Sequence, residues 1–214
     1  MLTLVALVLS GCASEADRPP PGELARAAGQ GDLEDMRRLL DHGASPDDRG
    51  DGGRTAVTAA AYAGAADVVR VLADAGADVD LQDDTRANAL LSVGETGDVE
   101  VLREVLRADP DLTRTNRFGG TALIPAADRG HVEVVRRLLE TEIDVDHIND
   151  LGWTALLEAV LLGDGGPDHQ EIVRLLLAAG ARVDLADRDG VTPLEHARRA
   201  GHDEIAALLA ARTG

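Results

Sequence analysis

A three-residue motif recurs along the chain at an interval of 33 residues, and this period constrains the fold more than any other feature. Threonine or asparagine, then alanine, then an aliphatic residue begins at positions 55, 88, 121 and 154. A fifth copy, Thr192-Pro193-Leu194, follows 38 residues later. Glycine recurs in phase with the motif at positions 64, 97, 130 and 201. A fixed period of this length predicts a solenoid of stacked units.

Each unit carries the pattern of two short helices and an extended loop. In the fourth unit, Gly130 separates the helices, and the second helix has valine or leucine at 134, 135, 138 and 139. This spacing places the apolar side chains on one helix face. Polar and apolar residues then alternate over 142–146, as in an extended hairpin. One unit cannot bury its apolar face alone, whereas stacked neighbours bury it continuously.

These residues resemble the ankyrin repeat, whose signature combines T-P-L-H-x-A, a G-H turn, V-V-x-x-L-L and G-A-D-V-N. The matching segments here are Thr192–Ala197, Gly201-His202, Val134–Leu139 and Gly76–Asp80. The signature histidine of T-P-L-H is absent from every copy. The resemblance implies an all-α ankyrin-repeat solenoid of about six helix-turn-helix-hairpin repeats. We expect these repeats near 23–49, 50–82, 83–115, 116–148, 149–186 and 187–214.

The third repeat departs most from the pattern. It has Asn88 in place of threonine, Gly94 inside the first helix, and Asp109-Pro110 where Gly-Ala is expected. A glycine inside a helix destabilises it by about 1 kcal/mol relative to alanine. We therefore expect local opening or bending to occur in this repeat.

The N-terminus joins a short apolar segment to the only cysteine of the chain. Leu2–Leu9 is too short to span a bilayer, and it leads into Leu9-Ser10-Gly11-Cys12. This ending resembles the bacterial lipobox, in which the peptide is cut before the cysteine and the thiol receives a lipid. Unlike typical signal peptides, the segment has no Lys or Arg before the apolar run. A hydrophobic terminus with a cysteine there by chance is the alternative.

On the lipobox interpretation the chain has three parts. We expect a signal peptide over 1–11, the lipidated Cys12 with a proline-rich tether over 12–22, and the ankyrin domain over 23–214. The protein would then be a membrane-anchored lipoprotein of a bacterial cell envelope, facing the periplasm or the exterior.

The net charge of −18 restricts the partners of the chain. An acidic surface repels phosphate backbones and anionic lipid headgroups, so we expect no nucleic-acid binding and membrane contact only through the lipid. The same surface would attract a basic protein. Solubility of an elongated repeat protein is the simpler explanation of the charge.

The chain has one tyrosine, one phenylalanine and one tryptophan. All three occupy positions that ankyrin repeats leave variable and exposed, on the hairpin tips and first helices that the resemblance implies as the contact surface. Aromatic residues often dominate binding, although packing of Phe118 and Trp153 on adjacent hairpins explains them equally well. The predicted partner-binding residues are Tyr62, Arg117, Phe118, Asp128, Arg129, Asp150, Leu151, Trp153, Leu161, Leu162 and Arg188.

The longer spacing before the last motif reflects an insertion at Gly163–Pro167. We expect it to form a surface loop between the two helices of the fifth repeat. No Gly-Lys-Ser/Thr follows it, which argues against a nucleotide-binding loop.

The histidines and acidic residues suggest little chemistry. His131, His169 and His202 follow the turn glycines, and the resemblance implies a structural role for them. His147, together with Asp144, Asp146, Asn149 and Asp150, is the best metal candidate, but it lacks a calcium-loop pattern. The chain has no G-x-S-x-G or H-E-x-x-H motif and no cysteine in the repeats. We therefore expect no enzyme activity, no cofactor and no metal.

The leading hypothesis is a monomeric, non-catalytic scaffold that binds an unidentified protein partner through hairpin tips and inner helices. One alternative is an immunity-type or stoichiometric inhibitor whose acidic face covers a basic toxin or enzyme. A second alternative is an envelope metal-binding protein that uses the cluster between Asp144 and Asp150.

Overall fold

The computed structural model describes residues 18–212, which form six consecutive pairs of helices. The first helices of the pairs are α1 (Glu23–Gly29), α3 (Ala56–Tyr62), α5 (Ala89–Thr96), α7 (Leu123–Asp128), α9 (Ala155–Leu161) and α11 (Pro193–Ala200). The second helices are α2 (Leu33–Asp41), α4 (Ala66–Asp74), α6 (Val99–Arg107), α8 (Val132–Leu138), α10 (Pro167–Ala178) and α12 (Asp203–Ala210). A 3₁₀ turn spans Asp51–Gly53. The predicted all-α repeat solenoid is confirmed.

The helices form two layers, because each first helix packs on the next first helix and each second helix on the next second helix. Alanines of the first helices, such as Ala60 and Ala61, are completely buried and allow the helices to approach closely. The second helices contribute larger aliphatic side chains. Val135 and Leu138 of α8 are completely buried, as the spacing predicted. No helix within 18–212 has the length and apolar character to cross a bilayer.

Most first helices begin with a side-chain cap in the recurring motif. In this motif the side chain at the first position accepts a hydrogen bond from the backbone N–H three residues later. Such caps are formed by Thr55, Asn88, Thr154 and Thr192. Thr121 differs, because Pro125 has no N–H to donate to the Thr121 carbonyl and the N–H of Ile124 donates to it instead, at 3.2 Å. The buried Thr121 hydroxyl is left without a hydrogen-bond partner among the described residues.

Two features that suggested weakness in the third repeat have structural reasons. Asn88 accepts a hydrogen bond from the N–H of Leu91 at 2.9 Å, so it caps α5 as the threonines cap other helices. A Cβ atom at Gly94 would collide with the carbonyl oxygen of Ala122 and would lie 3.0 Å from Cγ of Pro125. Gly94 is therefore required by the close packing of α5 on α7, in addition to its cost in helix propensity.

The third repeat nevertheless contains backbone strain. Within the described chain, Arg86 and Asp109 are the only residues other than glycine with positive φ, at +61° and +55°. Glycine occupies the position of Asp109 in the first, second and fifth repeats, at Gly43, Gly76 and Gly180. Side chains in this left-handed region are unfavourable, so the prediction of local opening in the third repeat now depends on these two residues.

Two of the three turn histidines join adjacent repeats, as the resemblance implied. Nε2 of His131 lies 3.2 Å from the carbonyl oxygen of Glu95, and Nε2 of His169 lies 2.9 Å from that of Asp128. His202 differs: its ring lies against Gly165, and its buried Nδ1 has no partner among residues 18–212. The histidine bonds fix the turn between the helices of one repeat to the preceding first helix.

The insertion in the fifth repeat forms a hydrogen-bonded loop. The Asp164 carboxylate accepts the N–H of Gly166 at 2.8 Å and lies 2.9 Å from Nδ1 of His169. Pro167 then begins α10, where its missing N–H is not needed. With 12 residues, α10 is longer than the other second helices.

Acidic side chains connect the loops of successive repeats. The carboxylates of Asp47, Asp80 and Asp146 accept the backbone N–H of Asp78, Asp111 and Arg182, respectively, one repeat further along. Thr113 occupies the equivalent position between Asp80 and Asp146, and its hydroxyl donates to Asp111 of its own loop instead. The recurring aspartates are therefore structural parts of the repeat.

Candidate interaction surface

The loop tips of the fourth and fifth repeats are each built around one polar side chain. Oδ1 of Asn149 accepts the backbone N–H groups of Leu151 and Trp153, both at 3.0 Å. In the preceding repeat, Oδ1 of Asn116 accepts the N–H of Phe118 at 2.9 Å. Such side-chain to backbone bonds are how asparagine stabilises turns. The two asparagines thereby fix the backbone that presents Phe118, Leu151 and Trp153.

Neighbouring tips are also bonded to one another. The N–H of Asp150 donates to the carbonyl oxygen of Phe118 at 2.9 Å, and the Arg188 guanidinium donates to the carbonyl oxygen of Asp150. The predicted residues Asp150 and Arg188 therefore hold the tips in a row.

Six of the predicted residues line one cavity beneath the tips, here called the Trp153 cavity. Its volume is about 220 Å³, and it lies between the tips of the fourth and fifth repeats and helices α5, α7 and α9. Phe118, Leu151 and Leu162 at its rim are 51%, 47% and 52% exposed, and Trp153 is half-buried. The lining residues are Glu95, Asn116, Phe118, Gly120, Ile124, Pro125, Asp128, Arg129, Asn149, Leu151, Trp153, Glu158 and Leu162.

A second cavity, the Tyr62 cavity, adjoins the first. Its volume is about 300 Å³, and it shares Glu95, Asn116 and Phe118 with the Trp153 cavity. The predicted residues Tyr62 and Arg117 lie here, whereas Leu161 is half-buried at the end of α9 and lines neither cavity. The lining residues are Arg54, Tyr62, Thr85, Ala87, Glu95, Asn116, Arg117 and Phe118.

The groove continues toward the N-terminal repeat. A third cavity of about 500 Å³ lies between α1, α3 and the loop around Gly50, and it shares Arg54 with the Tyr62 cavity. The three cavities therefore follow one another along the side of the solenoid formed by first helices and loop tips.

Tyr62 is held by contacts within the chain. Its hydroxyl donates to the Glu95 carboxylate at 3.1 Å, and the Arg54 guanidinium lies 4.5 Å from the ring centroid. Arg54 in turn pairs with the buried Asp83 at 3.2 Å. Burial, together with the charge of Glu95, raises the pKa of Tyr62 to about 12. For this aromatic residue, the contacts favour packing over a free contact position.

Glu158 of α9 is a groove residue that the sequence analysis missed. Glu158 is 7% exposed, and its Oε1 accepts a hydrogen bond from the Asn149 side-chain amide at 2.8 Å. Burial raises the pKa of Glu158 to about 7, and the charge of Asp128 adds to the shift. The sequence contains a signal for it: Glu158 is charged, whereas the equivalent positions in the three preceding repeats carry the uncharged residues Ala59, Ser92 and Pro125.

The residues proposed for metal binding serve other purposes. Nε2 of His147 lies 2.7 Å from the carbonyl oxygen of Gly119, and the Asp146 carboxylate accepts the N–H of Arg182. Residues 18–212 contain no cluster of three His, Cys, Asp or Glu side chains able to hold a metal ion. The metal-binding alternative therefore has no site in the part of the chain that the structure describes.

The paired helices, stacked layers and groove define a helical repeat scaffold. The chain belongs to the ankyrin repeat family: the family model described as "Ankyrin repeats (3 copies)" matches residues 7–83 and 89–187.

Solved structures support the same assignment over most of the chain. An ankyrin repeat domain from Acinetobacter baumannii AYE is 46% identical, with a TM-score of 0.84 over 88% of this chain and 96% of that domain. The ankyrin repeat protein EF0377 is 37% identical, with a TM-score of 0.85 over 90% of this chain and 98% of its own.

A curated relative matches over a shorter region. YahD of Escherichia coli (strain K12), named as an ankyrin repeat protein, is 56% identical over 54 residues, or 25% of this chain. The chain spans about a quarter, 27%, of the length of this relative. Ankyrin repeats are in general protein–protein interaction scaffolds, and the family is typically non-catalytic.

Proposed function

We propose that this protein is a non-catalytic scaffold that binds a protein partner in the groove formed by its loop tips and first helices. The observation that carries the proposal is the exposed apolar rim of the Trp153 cavity. Among the described residues, Phe118, Leu151 and Leu162 are three of the four large hydrophobic side chains that are exposed. An exposed apolar patch rimmed by polar residues is typical of a protein-binding surface.

Trp153 gives this patch a candidate energetic centre. Its backbone is fixed by Asn149, and its side chain is half-buried in the cavity wall, so little freedom is lost when a partner covers it. Tryptophan in such a position often contributes a large share of the binding free energy. Trp153 and Phe118 are therefore the residues to substitute first.

A pull-down from detergent-solubilised envelopes of the source bacterium tests the proposal. The bait proteins are the native chain, the double variant Phe118→Ala/Trp153→Ala, and the control Ile148→Ala. Ile148 is 50% exposed but lines neither cavity, so the control removes similar apolar surface elsewhere. We expect the double variant to lose a protein that the other two baits retain. The two substitutions should weaken its binding by about 2 kcal/mol or more. The same captured proteins with all three baits would contradict the proposal.

We also propose that the scaffold is a lipoprotein anchored in the bacterial envelope through Cys12. The support is the Leu9-Ser10-Gly11-Cys12 sequence, which lies outside the described residues. Two acyl chains would be sufficient for stable anchoring. Cys12→Ser should move the protein from the membrane fraction to the soluble fraction, with an unchanged circular dichroism spectrum. Persistence of the variant in the membrane fraction would rule the anchor out.

A second candidate function is that of a stoichiometric inhibitor of a basic enzyme or toxin. The net charge of −18 favours it, because such a surface attracts a basic protein and accelerates its association. The two functions differ in what happens to the captured partner. An inhibitor abolishes the activity of its partner at one-to-one stoichiometry, whereas a scaffold leaves that activity in place.

A further inference from the structure

The Trp153 cavity contains a buried carboxylate with an unused acceptor. Glu158 is more than nine-tenths buried, and Oε1 accepts the bond from Asn149. Its other oxygen, Oε2, accepts no hydrogen bond from any residue within 18–212. Oε2 is not one of the fully buried side-chain atoms that lack a partner among the described residues, so it is open to the cavity. The free chain therefore leaves a position at Glu158 that a donor could occupy.

A second carboxylate increases the local negative potential. Asp128, at the end of α7, lines the same cavity, and its side chain has no hydrogen-bond partner among the described residues. Its charge opposes the ionisation of Glu158. Two carboxylates that repel each other are both stabilised by a cation placed between them.

The cavity does not supply this cation itself. Arg129 is the only arginine that lines the Trp153 cavity within the described chain, and it forms no ion pair there. Among the described residues, neither Glu158 nor Asp128 forms an ion pair with an arginine.

The walls of the groove suit a guanidinium group. The chain already places Arg54 over Tyr62 at 4.5 Å and Arg117 over Phe118 at 4.8 Å. Trp153, the aromatic residue with the strongest cation–π attraction, has no such partner within residues 18–212. The volume of about 220 Å³ equals roughly seven water molecules at about 30 Å³ each, which is room for one long side chain.

We propose that the Trp153 cavity receives an arginine side chain of the partner protein, with its guanidinium between Glu158 and Asp128 and its stem against Trp153. The inference rests on the proposed scaffold function and names the chemistry of the partner. Arginine fits better than lysine, because its planar group can donate to two carboxylates while it stacks on an aromatic ring. The net charge of −18 would steer a basic segment toward the groove.

The single tryptophan makes the test direct, because its fluorescence reports on this cavity alone. The full-length chain in detergent is titrated with two short peptides, acetyl-Ala-Leu-Arg-Leu-Ala-amide and the same peptide with citrulline at the centre. Citrulline keeps the shape of arginine and lacks its charge. We expect a saturable fluorescence change with the arginine peptide and at least about tenfold weaker binding of the citrulline peptide.

Three variants locate the binding site. Glu158→Gln and Asp128→Asn should each weaken the arginine peptide about tenfold or more, whereas Glu133→Gln in α8, remote from the groove, should not. Circular dichroism checks that each variant is folded, and Asp128→Asn serves if Glu158→Gln misfolds. Equal affinities for the two peptides, or no saturable change at millimolar arginine peptide, would overturn the inference.

The inference and the scaffold function can fail separately. Suppose that Phe118→Ala/Trp153→Ala loses an envelope protein that Glu158→Gln still captures in full. This result would support the scaffold function and contradict the arginine site. A captured partner lost with both variants is expected if the arginine site belongs to the interface.

Discussion

Gly94 of α5 lies so close to Ala122 at the start of α7 that no side chain fits between them. The equivalent positions in three other repeats, Ala28, Ala61 and Ala127, carry alanine and are completely buried. The third repeat therefore has a closer approach between first helices than its sequence pattern would suggest.

Replacing Gly94 with alanine separates helix propensity from packing. Propensity alone predicts a gain of about 1 kcal/mol in the free energy of unfolding. We expect a loss of about 1–3 kcal/mol instead, because the added methyl group must displace the backbone of Ala122. Urea denaturation measures the difference. Gly29→Ala is the control, since its new Cβ would lie at an ordinary 3.4 Å from that of Ala59, and a stabilised Gly94→Ala would contradict the packing account.

Pro125 is expected to suppress the cap of its own helix. In Pro125→Ser, a serine N–H can donate to the Thr121 carbonyl, which frees the N–H of Ile124 to donate to the Thr121 hydroxyl. We expect about 1 kcal/mol of stabilisation. A double-mutant cycle identifies the cause: Thr121→Ala should destabilise the Pro125→Ser background by about 1 kcal/mol and the native background much less. Equal effects of Thr121→Ala in the two backgrounds would refute the explanation.

The strained backbone at Asp109 predicts a stabilising substitution. Asp109→Gly removes the left-handed strain of about 1–2 kcal/mol, and the added freedom of the unfolded chain offsets about 0.4–1 kcal/mol of it. We expect a net gain of about 0.5–1 kcal/mol. The reciprocal change, Gly76→Ala, introduces strain without a steric contact, because nothing lies within 4 Å of the new Cβ.

Amide hydrogen exchange adds the regional test. The third repeat should exchange among the faster regions of the native chain, and exchange there should slow in Asp109→Gly. A third repeat among the slowest-exchanging regions would count against this prediction.

Glu158 makes the stability of the chain depend on pH. Its folded pKa of about 7 lies above the ordinary 4.5, so the native state retains a proton that the unfolded chain loses between these values. Stability therefore falls as the pH rises from 4.5 to 7. Glu158→Gln should be more stable than the native chain by about 2–3 kcal/mol at pH 8, and the difference should disappear near pH 4.5. Denaturation curves at several pH values measure it, and a difference that is constant with pH would exclude Glu158 as its source.

The fold could be predicted from the sequence because the repeat imposes one structure many times. The positions of the first and second helices and the buried Leu138 follow from the recurring pattern, and the ankyrin resemblance implied the bridging role of His131 and His169. What the pattern could not show is where one repeat adapts to its neighbour. Gly94 departs from the pattern because Ala122 lies against it, and the sequence alone does not reveal that distance.

The candidate site was predicted in part. Phe118, Leu151 and Trp153 could be placed on the groove because the loop tips share one geometry. Tyr62 was predicted as a contact residue, but its bond to Glu95 gives it a role inside the chain. Glu158 was missed because the contact residues were predicted at exposed repeat positions, whereas Glu158 is buried and borders a cavity.

The bonds between repeats also determine how the protein would respond to force. His169 and Asp128, 41 positions apart, are joined only across one boundary, and the loop aspartates likewise reach only to the next repeat. A solenoid pulled from its ends carries the load through each boundary in turn, so it should lengthen in steps of about one repeat. If Cys12 anchors one end at a membrane, a force applied by a partner bound at the other end would stretch the solenoid elastically.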